Sequence, residues 1–134
     1  MTPLADVVAA SSEVAGTGSR TGKVAILADL LQKLEPDEVP IAVGFLTGVP
    51  RQGRVGVGYR TVYGVERPAA EHASLTVAEL DAAISAVQEA TGSGSAARRK
   101  EILGELLGRA TADEAGFVKR LFTCELRRGA LAGV

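Results

Sequence analysis

The sequence has 134 residues and a net charge of −1, from 15 basic and 16 acidic side chains. This length suffices for one domain with a hydrophobic core. The near-neutral charge argues against a generally basic nucleic-acid binder, and a single cysteine excludes an internal disulfide. No signal peptide or apolar run of roughly 20 residues is visible, so we expect a cytoplasmic protein with no membrane partner.

Helical periodicity dominates the sequence and predicts an all-α fold, an orthogonal helical bundle. The predicted helices cover Leu4–Val14, the stretch after Ser19, Pro36–Leu46, the stretch from Thr76 to Gly92, Ala96–Ala110 and the stretch after Thr111. Thr76 and Thr111 each open a capping-box pattern, with a glutamate three residues later.

The second predicted helix has an apolar stripe that we expect to face the core. Its members are Val24, Leu27, Leu31 and Leu34. Residues 48–74 are different, because they are rich in glycine and alternate too loosely for a strand. They predict one long, ordered, Gly-rich loop, and loops of that length in a compact domain are usually functional or mobile.

Residues 16–24, GTGSRTGKV, resemble a phosphate-binding P-loop. That motif needs a glycine at position 17 and a hydroxyl at position 24, where Thr17 and Val24 stand. It also needs a strand before it, and the preceding residues are Ala-rich and helix-like. We therefore interpret the stretch as a helix start with Ser19 as its N-cap.

No pattern in the sequence predicts a catalytic centre or a metal site. His72 is the sole histidine and lies in a polar linker without a metal-ligand spacing. Cys124 follows an apolar helix face, which is typical of a small, half-buried residue rather than a nucleophile. We expect no catalytic residue in this chain.

Four segments place basic residues beside glycines or at predicted helix starts: segment one (19–23), segment two (51–58), segment three (91–100) and segment four (125–129). Positive charge is concentrated accordingly, with a net +3 over 48–64 and again over 95–134. Glycines let backbone amides approach a ligand, and arginines neutralise phosphates. The candidate DNA-binding residues are Arg20, Lys23, Arg51, Gly53, Arg54, Gly56, Gly58, Ser93, Ser95, Arg98, Arg127 and Gly129.

The order and wording of these segments resemble the N-terminal DNA-binding domain of ATP-dependent DNA ligases, of the actinobacterial ligase B type. The matching passages are SRTGKVAILADLL, PIAVGFLTGVPRQGRVGVGYRTV, LTVAELDAAISAVQEATGSGSAARRKEIL and FVKRLFTCELRRGALAGV. The last two are the most specific, and the resemblance covers essentially the whole chain. Cys124 departs from the pattern, since this type of ligase usually has glycine there.

The resemblance implies an all-helical domain over residues 1–134 that grips the minor-groove side of nicked duplex DNA. It implies a parent enzyme that acts in DNA repair, replication and recombination. The parent's nucleotidyltransferase and OB-fold domains, absent from this chain, would use ATP and Mg²⁺. The family's Lys-x-Asp-Gly motif does not occur here. We therefore expect a monomeric, inactive fragment that holds no cofactor.

Two other functions remain open from the sequence. One is a helical protein–protein interaction module that does not bind DNA. The other is a nucleotide-binding protein that uses residues 16–24. A salt-dependent DNA shift assay separates the first alternative from DNA binding, and a nucleotide titration separates the second.

Overall fold

The computed structural model describes residues 1–53, 55 and 57–128. Over these residues the chain is helical, and the one β-type pairing is an isolated bridge between Pro3 and Thr76. The α-helices are α1 (Leu4–Ala15), α2 (Arg20–Lys33), α3 (Val39–Thr47), α4 (Tyr59–Gly64), α5 (Val77–Glu89), α6 (Ser95–Gly108) and α7 (Ala112–Phe122). Short 3₁₀ helices cover Pro36–Glu38 and Glu125–Arg128. The predicted all-α fold is confirmed.

Both predicted capping boxes are present. The Thr76 hydroxyl accepts the N–H of Glu79 at 3.1 Å, and the Glu79 carboxylate accepts the N–H of Thr76. Thr111 and Glu114 repeat the arrangement at the start of α7. Each box pairs amides that a helix leaves unsatisfied at its start. These local bonds fix where α5 and α7 begin.

Helix α1 is the centre of the packing, because it contacts α2, α3, α5 and α7. Its Leu4, Val7 and Val14 are fully buried. Burying an aliphatic side chain of this size stabilises a fold by roughly 1.5–3 kcal/mol. The largest buried side chains from the other helices are Phe45, Phe117, Leu80, Ile84, Leu103 and Leu121.

The N-terminal residues are tied to the start of α5. Leu4 N–H donates to the Leu75 carbonyl at 2.9 Å, and Val77 N–H donates to the Thr2 carbonyl at 3.0 Å. These bonds flank the bridge between Pro3 and Thr76. The first residues of the chain therefore lie beside residues from its middle.

Glu38 is a buried carboxylate that joins the chain start to the first 3₁₀ helix. It accepts hydrogen bonds from Thr2 N–H at 2.9 Å, from the Thr2 hydroxyl at 2.6 Å and from Glu35 N–H at 2.9 Å. Burial raises the pKa of Glu38, but these hydrogen bonds outweigh it and hold the pKa below its usual value. Their stabilisation is present above the pKa of the unfolded chain and is lost as pH falls through the folded value.

The predicted apolar stripe of α2 is correct only in part. Its member Leu34 is buried, as is Leu30, which was not predicted, whereas Val24 and Leu31 are 49% and 41% exposed. Leu27 is half-buried. Two overlapping stripes on α2 both satisfy helical spacing, and the side that meets α1 decides between them.

Residues 48–74, predicted as one long loop, contain α4. Val62 of α4 is fully buried, and Val55 and Val65 on either side of the helix are each 7% exposed. Three valines thus anchor the Gly-rich stretch to the core. A helix of six residues with a glycine at its end is too short for its periodicity to be visible in the sequence.

Candidate nucleic-acid interface

Segment one lies at the start of α2. The Ser19 side chain caps this helix by accepting the N–H of Gly22 at 3.0 Å, as predicted. A Cβ on Gly22 would lie 2.7 Å from Thr17 and 2.8 Å from the Ser19 hydroxyl, so a larger residue there would displace one of these side chains. Arg20 is exposed and Lys23 is half-buried. Helix α1 precedes the segment where a P-loop needs a strand.

Segment two begins with a side chain that is already engaged. The Arg51 guanidinium forms two hydrogen bonds to the Asp81 carboxylate, at 2.8 and 2.7 Å. The Gln52 side-chain amide donates to the Asp81 carboxylate and to the Ser85 hydroxyl, and the Gln52 backbone carbonyl accepts a hydrogen bond from the Gln88 side chain. Asp81, which is 8% exposed, raises the pKa of Arg51 by hydrogen bonding and charge. This network clamps the start of the Gly-rich stretch onto α5.

Arg51→Ala is therefore expected to lower the stability of the fold without weakening phosphate contacts. Arg51 is bonded to Asp81 and would have to give up those bonds in order to contact DNA. The slope of log affinity against log salt should change by less than about 0.3, against about 1 for a phosphate contact. Arg20→Ala is the matched control, with an unchanged unfolding midpoint and a flatter slope. Thermal unfolding and DNA titration of both variants check this. A slope flattened by about 1 in Arg51→Ala would place Arg51 on a phosphate.

The glycines of segment two leave the backbone accessible. Gly53 has a φ of 80°, the left-handed region that favours glycine. Gly58 precedes α4, and a Cβ on either glycine would meet nothing within 4 Å. Arg54 and Gly56, the other predicted contacts in this segment, lie outside the described residues.

Segment three forms the turn between α5 and α6. No side chain caps α6, whose N-cap residue is Gly94. Ser93 is exposed and Ser95 is half-buried at the first position of the helix. Arg98 pairs with Glu101 at 3.0 Å on an exposed surface, where such pairs contribute little. The start of α6 therefore lacks a side-chain cap from its N-cap residue, and anion binding there stays a prediction.

Segment four is held by Glu125. Its carboxylate accepts hydrogen bonds from the Thr123 hydroxyl at 2.6 Å and the Tyr63 hydroxyl at 2.8 Å. These bonds hold the pKa of Glu125 below its usual value. Arg127 lies in the last 3₁₀ helix, but its side chain and Gly129 are outside what the structure describes.

Cys124, immediately before this segment, has a φ of 64°. It is the one residue other than glycine that has a positive φ in the described part of the chain. A side chain in this conformation costs on the order of 1 kcal/mol relative to glycine. Cys124 therefore stands at a position whose backbone favours glycine, the residue that ligases of this type usually have there.

Cys124→Gly is accordingly expected to leave stability unchanged or raise it by up to about 1 kcal/mol, because relief of strain opposes the greater freedom of glycine in the unfolded chain. Urea unfolding measures the change. Cys124→Ala is the control, since it removes the thiol and keeps the Cβ. A Cys124→Gly variant less stable than Cys124→Ala would show that the strain of the left-handed turn is smaller than the entropy that glycine loses on folding.

Helices α5 and α4 bring three of the four segments toward one another. Gln88 in α5 contacts segment two through the Gln52 carbonyl, and Arg99 of segment three donates to the carbonyl of Ala90 just beyond α5. Tyr63 of α4 contacts segment four, and α4 also packs on α6. Segment one is positioned separately, through the packing of α2 on α1.

Some exposed basic and aromatic residues near these segments were not among the predicted contacts. Arg60 and Lys100 line a cleft of about 230 Å³ between α4 and α6. Tyr59 is 63% exposed and stacks on Tyr63, with ring centroids 4.4 Å apart. The sequence signal was the +3 charge of residues 48–64, which includes Arg60.

A second, larger concavity of about 680 Å³ lies between α1 and α7. None of the predicted contact residues lines it, and its acids Glu13, Asp113, Glu114 and Glu125 face a single basic residue, Arg120. This groove repels polyanions. In the described residues there is no cluster of side chains that could hold a metal ion, and no helix is long and apolar enough to cross a membrane.

A comparison with protein families gives the class of the chain. Residues 61–134, more than half of the sequence, match the model of the DNA ligase N terminus. This stretch includes segments three and four. The chain belongs to the family of DNA ligase N-terminal domains, which confirms the resemblance seen in the sequence.

Individual relatives agree with this assignment. Probable DNA ligases from Rhodococcus opacus and Saccharopolyspora erythraea are each 52% identical, over 96% and 100% of this chain. A probable DNA ligase from Mycobacterium avium is 45% identical over 98% of it. The chain spans about a quarter of the length of these curated relatives. No solved structure matches the chain significantly.

Proposed function

We propose that this chain binds nicked double-stranded DNA through phosphate and minor-groove contacts and positions it for sealing by catalytic domains of a longer ATP-dependent DNA ligase. The observation that carries the proposal is the family match over residues 61–134, which contain two of the four candidate segments. The parent would act with ATP and Mg²⁺. The described residues do not fit a metal site, so we assign no chemical step to them.

The distribution of charge supports this function. The described basic residues of the candidate segments include Arg20 at the start of α2 and Arg98 at the open start of α6. Acids gather instead in the groove between α1 and α7. A polarised surface of this kind can bind a polyanion although the whole chain carries a net charge of −1.

The proposed contact residues suit DNA binding that does not depend on base sequence. Arginine and lysine side chains, hydroxyls, and backbone amides exposed by glycines are the groups that proteins use on phosphates. Arg20 and Lys23 would neutralise phosphates, while Ser93, Ser95, and Gly53 with Gly58 would offer short donors or close backbone approach. Arg54, Gly56, Arg127 and Gly129 belong to the same proposed set. Arg51 positions segment two on α5.

A DNA titration tests the proposal against its alternatives. Fluorescence anisotropy with two labelled nicked duplexes of unrelated sequence should give similar affinities, both weakened by salt. A titration with ATP and Mg²⁺ should show no binding, because residues 16–24 are a capped helix start rather than a P-loop. Absence of duplex binding at low salt would favour the protein-interaction module, and saturable ATP binding would favour the nucleotide-binding protein.

A further inference from the structure

The cleft between α4 and α6 concentrates positive charge. Its lining consists of Arg60, Thr61, Gly64, Val65 and Lys100, which include two cations and no acid. Like charges that share a small volume repel each other, and an anion placed between them reverses that cost. The electrostatics of the cleft therefore favour a negatively charged ligand.

The two cations of the cleft are free to bind such a ligand. Arg60 and Lys100 are exposed, and neither has an ion pair or a hydrogen bond within the described part of the chain. Other arginines are engaged differently, since Arg51, Arg98 and Arg109 each pair with a carboxylate. The cleft thus holds unpaired charge where other parts of the surface hold ion pairs.

The remaining lining suits a small oxyanion. Thr61 is half-buried and its hydroxyl has no hydrogen-bond partner among the described residues. Gly64 leaves the rim open, because a Cβ there would meet nothing within 4 Å. Val65, 7% exposed, also lines the cleft. A guanidinium, an ammonium and a hydroxyl are together the donors that phosphate oxygens accept.

The surroundings favour a polymer backbone over an isolated ion. Tyr59 and Tyr63 of α4, the helix that supplies Arg60 and Thr61 to the cleft, stack on each other, and the Lys119 ammonium lies 5.7 Å from the centre of the Tyr63 ring. Positive and aromatic surface therefore continues past the volume that one phosphate fills. A nucleic-acid strand, with phosphates on one side of its sugars, can use both parts.

We propose that the α4–α6 cleft binds one phosphate of the duplex backbone, with Arg60 and Lys100 donating to its oxygens. This inference rests on the proposed DNA-binding function and adds Arg60, which lies outside the four candidate segments, to Lys100 at the end of segment three. The cleft shares Lys100 with segment three, and Tyr63 of α4 bonds to Glu125 of segment four.

The test compares the whole chain with an Arg60→Ala/Lys100→Ala variant. Affinity for a nicked duplex at about 50 mM salt should fall by at least about tenfold, and the salt slope should flatten by about 2. A Lys33→Ala/Arg120→Ala control removes the same charge from the end of α2 and from the acidic groove, and should bind nearly as the unchanged chain does. Arg60→Lys/Lys100→Arg keeps both charges and should retain the slope.

Titration with inorganic phosphate, followed by NMR, examines the cleft without DNA. Saturable shifts of the Thr61 and Lys100 amides are expected, and they should be lost in Arg60→Ala. Duplex binding that is unchanged in Arg60→Ala/Lys100→Ala, or weakened equally in the control, would overturn the site. If the unchanged chain binds no duplex, the proposed function fails and this site on DNA fails with it. Phosphate shifts without duplex binding would then identify a site for free phosphate instead.

Discussion

The affinity of this chain for nicked duplex DNA is expected to fall by at least roughly a hundredfold between about 50 and 200 mM salt. Four arginines of the proposed set, Arg20, Arg54, Arg98 and Arg127, remain once Arg51 is assigned to Asp81. Each phosphate contact contributes roughly −0.9 to the slope of log affinity against log salt, so these arginines give about −4. The α4–α6 cleft would steepen the slope by about 2 more.

Anisotropy titrations at several salt concentrations, on two nicked duplexes of unrelated sequence, measure this slope. Arg20→Ala should flatten it by about 1, and by the same amount on both duplexes. If Arg20 read a base instead, its replacement would remove discrimination at one position of the DNA and would leave most of the salt slope unchanged. A flat salt response, or a preference between the duplexes above about tenfold, would rule out sequence-neutral gripping of the backbone.

Leu30→Ala is expected to destabilise the chain by about 2–5 kcal/mol, because it leaves a cavity where α2 packs on α1. Leu30 is 2% exposed, and its neighbour Leu31 is 41% exposed. Leu31→Ala is the matched control: it makes the same chemical change on the same helix and should shift stability by about 0.5 kcal/mol or less. Urea unfolding of the two variants measures the difference.

The comparison separates two registers of α2. The stripe predicted from the sequence places Leu31 toward the core, and the structure places Leu30 there. A Leu31→Ala variant that is less stable than Leu30→Ala would restore the register that the sequence suggested. Circular dichroism at the helix band would show whether α2 melts separately, since its main packing partner is α1.

Local chemistry made the helix starts predictable. Ser19, Thr76 and Thr111 bond to amides within three residues along the chain, so their patterns are readable without tertiary structure. Helix α4 was missed because its stability comes from Val62 reaching the core, and a buried valine leaves no periodic trace in six residues. The register of α2 was missed for a related reason, since only its contact with α1 selects the buried side.

The candidate site was predictable in composition but not in pairing. Glycines and basic residues marked the four segments, and the family match supports the overall assignment. The bond between Arg51 and Asp81 joins residues thirty positions apart, and no spacing rule connects them. The cleft formed by Arg60 and Lys100 depends on how α4 packs against α6. Contacts between residues far apart in the sequence therefore decide which arginines and lysines are available to bind phosphate.

The bonds of Thr2 and Leu4 to residues 75–77 impose an order on folding. Helices α1 and α2 are neighbours in sequence and pack together, so they can associate as soon as both have left the ribosome. The contacts of α1 with α5 must await synthesis of residues 34–77, which takes about 2–9 s at 5–20 residues per second. During that interval the nascent chain presents a helical hairpin whose Leu4 and Val7 still lack their partners, and this hairpin is the species that a chaperone would meet.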